Sequence, residues 1–234
     1  MSIADQLASV SEHIAAAAIR AGRNPDDIAL MAVCKTFPAD AILEAYAAGQ
    51  RLFGENRVQE FAEKFPKVAD LVHARFHMIG HLQSNKTAKA AEIFQAVDSV
   101  DSVKLAQRLN DSAQKLGKML NVLIEINVGG EEAKSGLSPD SPEIEAILTQ
   151  AAQWTNLRVR GLMTVPPFTE EPEGERPYFR KLRELRERLA VRRYPAAGLD
   201  VLSMGMSHDF EVAIEEGSTC VRICTAIFGE RHYL

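Results

Sequence analysis

The sequence predicts one (β/α)8 barrel of the TIM type, a single domain over residues 1–234, with an extra helix at its N-terminus. Short apolar runs alternate with longer helical ones, the signature of βα units around a parallel sheet. Eight such units can be drawn. Eight favours closure, although an open doubly wound sheet shares the alternation. No Ser/Gly-rich linker divides the chain, and 46% hydrophobic residues in 234 are enough for one core.

The opening "MSIADQLASVSEHIAAAAIRAGR" is an amphipathic helix with Asp5 and Glu12 inside it, neither a signal peptide nor a membrane span. "IALMAVCK" (28–35) is apolar enough for a strand buried on both faces. The remaining strands are read at 51–55, 75–80, 93–100, 121–128, 157–164, 198–205 and 220–228. Helices are expected at 38–48, 57–69, 84–91, 101–117, 140–153, 177–191 and 207–216. Pro38 suits a first helical position, Ser207 an N-cap, and Gly49, Gly117 and Gly217 C-terminal stops. The longest irregular piece, "PPFTEEPEGERP" (166–177), reads as a mobile loop on one face.

Composition excludes several classes. There are 27 basic and 32 acidic residues, net −5, and no basic tract interleaved with aromatics, so nucleic acid is not an expected partner. Cys34, Cys220 and Cys224 are an odd set in apolar segments, which points to a reducing compartment. A cytoplasmic protein without membrane contact, acting as a monomer, is expected. Cys220 and Cys224 read as core residues on one face of strand eight.

Barrels of this kind place functional groups where strands end. Those ends offer Lys35, Gly54-Glu55-Asn56, Gly80-His81, Asp98-Ser99, Asn127, Met163-Thr164, Ser203-Met204-Gly205 and Thr225 to Gly229. Lys35 stands out because its strand is so apolar. A lysine at a barrel mouth can be desolvated into a nucleophilic amine that forms Schiff bases with carbonyl compounds. It can equally snorkel to solvent or pair with Glu55.

A phosphate site favours a phosphorylated partner for that amine. Barrels often bind phosphate after their last two strands. Here Ser203, Gly205 and Ser207 form a small hydroxyl-bearing turn, and strand eight adds Arg222 and Thr225, with Gly229 beyond. Asp209 and Glu211 would repel an anion if turned inward. An ordinary capped helix start explains the turn as well. Other constellations fail: "VGGEEAKSG" has Val128 and Ala133 where a Walker A loop needs glycine. His77 and His81, on a strand and its loop, lack a third ligand.

In order along the chain stand "AVCKTFP", "FGENRVQE", "FHMIGHLQSNK", "SVDS", "INVGGEEAKSG", "GLMTVPP", "LSMGMSHDFEVAIEEGST" and "VRICTAIFGER". With these motifs the sequence closely resembles, nearly end to end, the pyridoxal phosphate homeostasis protein family. The family's barrels are of pyridoxal phosphate (PLP) fold type III, similar to the N-terminal domain of alanine racemase. The resemblance implies that Lys35 carries PLP as a Schiff base, that Asn56 lies near the ring, and that Arg222 faces the pyridine nitrogen. Ser203, Gly205, Ser207, Thr225 and Gly229 would hold the phosphate, with Met163 and His81 as pocket walls.

The expected role is to buffer PLP or deliver it to apo PLP-dependent enzymes, without evident turnover. Enzymes that use the ring as a strong electron sink place a carboxylate at its nitrogen. Arginine, with a pKa above about 12, cannot play that part. Racemases of this barrel type add a second domain and a partner-subunit tyrosine, neither expected in a chain that ends at Leu234. Two other readings share Lys35: a racemase-like PLP enzyme and a Schiff-base aldolase acting on a sugar phosphate.

Overall fold

The computed structural model describes residues 1–131 and 134–229. Ala133 and the Glu230-Arg231 end of the last motif lie outside the described residues. Eight parallel strands close in sequence order: β1 (Ala29–Val33), β2 (Leu52–Glu55), β3 (Arg75–Met78), β4 (Ala96–Val100), β5 (Leu120–Glu125), β6 (Leu157–Met163), β7 (Val201–Met206) and β8 (Cys220–Ile223). Closure runs through β8 and β1, with Ala29 opposite Cys220 and Ala32 opposite Ile223. This is the (β/α)8 barrel the alternation predicts.

The helices between strands are α2 (Ala39–Ala47), α3 (Val58–Val68), α4 (Thr87–Ile93), α5 (Val103–Lys115), α6 (Pro142–Gln150), α7 (Arg176–Val191) and α8 (Phe210–Glu215). Ahead of them, α1 (Ile3–Arg20) starts in a reciprocal cap between Ser2 and Asp5 and buries Leu7, Val10, Ile14, Ala17 and Ala18. Arg20 holds it to α8 through Glu211 at 2.7 Å. Among the described residues no helix is long and apolar enough to cross a membrane. Gly49, Gly117 and Gly217 do follow helix ends with positive φ.

Several boundaries differ from expectation. Pro38 is the N-cap of α2 and not its first residue. Strand four begins at Ala96, because Ile93 completes the buried side of α4. Residues 84–86 form a separate 3₁₀ turn before that helix. The irregular stretch after β6 contains a 3₁₀ turn, Pro172–Glu175, whose Glu175 carboxylate receives the N–H of Thr169 at 3.1 Å.

The largest corrections fall after β7 and β8. Helix α8 starts at Phe210, so Ser207 does not cap it. Ser207 Oγ instead receives the N–H of Cys224, 3.1 Å away. Strand eight stops at Ile223, and "TAIF" forms a helical turn, α9 (Thr225–Phe228). Its start is the Cys224 carbonyl, which receives N–H bonds from Ile227 and Phe228 at 3.0 and 2.9 Å. Cys224 therefore lies past the strand, half-buried, while Cys220 stays in the barrel.

Candidate functional site

A cavity of about 750 Å³ opens at the C-terminal ends of the strands. Lys35 enters it from the turn after β1. That turn is strained: Thr36 has φ +69° and its N–H donates to Glu60 Oε1 at 2.6 Å. The neighbouring Cys34 points away into the core. Burial pushes the Cys34 thiol well up, and it pushes Cys220 to about 12, so both remain protonated.

Behind Lys35 lies a buried ion pair. Glu55, fully buried, receives Lys64 Nζ at 2.8 Å, and Lys64 also bonds Glu60 at 2.7 Å. Burial raises the Glu55 carboxyl, with Lys64 opposing the rise. For Lys64, burial works against the charge, but Glu55 and Glu60 outweigh it and raise its pKa. Glu55, considered from sequence as a partner for Lys35, is thus paired with Lys64.

Just after β2, Asn56 reaches the cavity with its Oδ1 buried and without a hydrogen bond among the described residues. Gly80, after β3, lies so close that a Cβ there would be 2.4 Å from the Asn56 carbonyl oxygen. His81 stands at the rim, its Nδ1 3.4 Å from Asp101. His77 faces a separate cavity of about 230 Å³, beside Asp98 at 3.1 Å. The two histidines share no site, and no three described His, Cys, Asp or Glu side chains could hold a metal ion together.

Arg222 rises from β8 and is 4% exposed. Its Nη1 donates to Ser203 Oγ and its Nη2 to the Thr164 carbonyl, both at 2.7 Å. Burial pulls its pKa down, against the pull of Cys220, Asp98, Asp209 and Glu125, but a guanidinium keeps its charge. Among the described residues it forms no ion pair; its partners are neutral oxygens.

Ser207 and Thr225 line the cavity on the β7–β8 side. The structure thus brings Lys35, Asn56, His81, Ser207, Arg222 and Thr225 to one cavity. Ser203 is not on that wall but behind Arg222, as its acceptor. Met163 is fully buried at the end of β6. Gly205 has φ +97°, and a Cβ there would meet Ala213 Cβ at 2.6 Å, so it lets β7 pack closely on α8. Gly229 follows α9 with φ +83°, and no described atom lies within 4 Å of where a Cβ would stand.

Sequence reasoning missed Glu125. Strand five ends there, not at Asn127, whose side chain instead braces the next loop through Gly130 N–H and the Glu131 carbonyl. Glu125 lines the cavity 6% exposed; Ser135 donates to one carboxylate oxygen at 3.0 Å, and the other has no partner among the described residues. Burial raises its carboxyl. Lys134, Phe168, His208 and Cys224 also reach the cavity.

Comparison with known proteins places this architecture. The family model "Alanine racemase, N-terminal domain" matches residues 6–232. A pyridoxal phosphate homeostasis protein of Pseudomonas aeruginosa is 48% identical over 231 residues, covering 99% of this chain and 96% of that one. One from Aquifex aeolicus is 46% identical over 233 residues, covering both chains completely. Among solved structures, PipY of Synechococcus elongatus is 38% identical and covers 97% of this chain and 100% of its own. Its PLP-free form has a TM-score of 0.86 and its PLP-bound form 0.83. By sequence and fold together, the chain belongs to the pyridoxal phosphate homeostasis protein family, within the alanine racemase N-terminal domain family.

Proposed function

We propose that the chain, acting as one domain, binds PLP at the barrel mouth and serves intracellular PLP homeostasis as a buffer or carrier. One observation carries the site: a strand-end lysine and a buried arginine, which forms no ion pair among the described residues, face the same cavity. The unsatisfied Asn56 Oδ1 and the Ser207 and Thr225 hydroxyls suit a polar aromatic phosphate. When bound, PLP supplies an aldehyde that can join Lys35 through a Schiff base. Asn56 would border the ring, and Ser207 and Thr225 the phosphate. Ser203 and the Thr164 carbonyl hold the Arg222 head in place, and Gly205 lets the preceding strand pack under the turn. Met163 and Gly229 would support the pocket from outside its wall.

Arg222 also argues for holding over turnover. Facing the pyridine nitrogen, it could not keep that atom protonated. Carbanion chemistry would then be poorly supported. Apo PLP-dependent enzymes are the proposed recipients, with the carrier a cytoplasmic monomer.

Borohydride reduction of the PLP-loaded protein followed by peptide mass mapping tests the site. The pyridoxyl group is expected on Lys35. A label on Lys64 or Lys134 instead would overturn the assignment. Turnover is tested by Cα–H exchange of L- and D-alanine in D₂O; exchange at about 1 s⁻¹ or faster, typical of enzymes, would overturn the carrier reading.

A further inference from the structure

Two acids near the cavity have no part in the binding site just described. Glu175 and Asp209 are each 1% exposed. Glu175 ends the 3₁₀ turn that closes the loop carrying Val165 and Phe168 to the cavity. Asp209 closes the turn carrying Ser207 and His208. One oxygen of each is engaged: Glu175 Oε1 by the Thr169 N–H and Asp209 Oδ1 by the Met206 N–H. The others, Glu175 Oε2 and Asp209 Oδ2, are buried and receive no hydrogen bond from the described residues.

The 3₁₀ turn that Glu175 ends packs against α8, which Asp209 directly precedes, and burial together with Asp209 pushes Glu175 up to about 8. Carboxylates in contact and out of water cannot both be charged, whereas one shared proton turns the contact into a hydrogen bond. The surrounding charges do not replace it. Arg176, on α7, is held by Glu173, Glu215 and Glu216. Arg222, on β8, donates to Ser203 and Thr164. His13 of α1 and Glu211 of α8 pair with each other across the adjoining groove, and the His208 ring lies tilted at 39° beside Phe168, ring centroids 5.2 Å apart.

We propose that Glu175 and Asp209 share one proton, and that this bond holds the Phe168 loop against the Ser207 turn and so retains bound PLP. Both are positioning residues, since neither lines the Lys35 cavity. The inference rests on the proposed PLP site. Its sign follows from the raised carboxyl. Below the ordinary value of 4.5 the acid is protonated whether the wall is closed or open. Between 4.5 and about 8 only the closed wall keeps the proton, so closure weakens by up to about tenfold per pH unit. Above that window the dependence ends.

The test has two arms. In the first, the PLP-free protein is melted at pH values from about 5 to 9. Wild type is expected to lose Tm as pH rises through the window. Glu175→Gln, whose amide can donate to Asp209 at every pH, is expected to flatten that slope, and Asp209→Asn to do so from the other side. Unchanged slopes in both variants would overturn the shared proton.

In the second arm, PLP dissociation into an excess of apo-acceptor is timed over the same range. Schiff-base hydrolysis has its own pH dependence, common to all three proteins, so the difference from wild type is read. Wild type is expected to release PLP faster with rising pH, by up to about tenfold per unit more than either variant. Flattened melting with an unchanged dissociation profile would overturn the retention role. If wild type binds no PLP, the functional reading and the retention role fall together, and the melting arm still decides the shared proton.

Discussion

The two sides of the cavity are built differently. On the β1–β2 side, Lys35 and Asn56 follow regular strands backed by the Lys64–Glu55 pair. On the β7–β8 side the wall is made of turns: the bend at Ser207 to Asp209 and the four-residue α9, tied together by Ser207 Oγ and the Cys224 N–H. The first side suits a covalent anchor, which needs one side chain at a fixed place. The second suits a phosphate, which is surrounded by hydroxyls and backbone groups. Removing the anchor should abolish one kind of binding, while trimming the cradle should only weaken another.

The largest effect is expected from Lys35→Ala. The visible spectrum of the PLP complex should vanish, while circular dichroism still reports the folded barrel, because the strand pairing that closes it runs through the backbone. Residual PLP held by the β7–β8 side alone should exchange freely on dialysis. A spectrum that survives the substitution would place the covalent anchor elsewhere and break the comparison at its base.

Lys64→Met tests whether the β1–β2 side depends on its ion pair. The side chains of Lys64 and Glu55 are only 11% and 0% exposed, so removing the lysine leaves a buried carboxyl without its cation. Breaking a buried pair from one side costs about 3–5 kcal/mol. The variant should also raise the Glu55 carboxyl further, since Lys64 is what opposes its burial. A carboxyl raised in the folded state is stabilising only while protonated, so the variant should lose stability as pH rises above the ordinary 4.5, more steeply than wild type. Urea unfolding at several pH values reads both effects. Equal slopes for the two proteins would show that the pair is not what supports the turn at Lys35.

The same contrast explains what was legible in the sequence. The apolar run before Lys35 reads directly as a strand, and its end gives the lysine's place on the rim. Asn56, His81, Ser207, Arg222 and Thr225 reach the cavity for the same reason. The alternation of runs likewise gave eight strands and closure. Backbone turns leave a weaker trace. "TAIF" continues the apolar run of β8, and only the bonds to the Cys224 carbonyl make it helical. Ser207 has the chemistry of an N-cap and spends it on a different segment. Glu125 was hidden because β5 ends two residues before the polar Asn127, where the apolar pattern breaks. Glu175 and Asp209 come from distant segments, and no local spacing announces that they share one region of the fold.

The smallest effect is expected from Thr225→Ala, and it bears on the cradle alone. Thr225 is an exposed first residue of α9 that lines the cavity, so its hydroxyl is available to a ligand and contributes little to packing. A hydrogen bond from such a group is worth about 1 kcal/mol, roughly fivefold in affinity. The loss should appear for PLP and not for pyridoxal, which shares the aldehyde and the ring but lacks the phosphate. Dissociation constants of both compounds for wild type and variant give the answer as a difference of differences, from which general changes in the cavity cancel. A loss of the same size for both compounds would assign Thr225 to the ring. No loss for either would leave the phosphate to Ser207 and backbone N–H groups, and would take the β8 side chain out of the cradle.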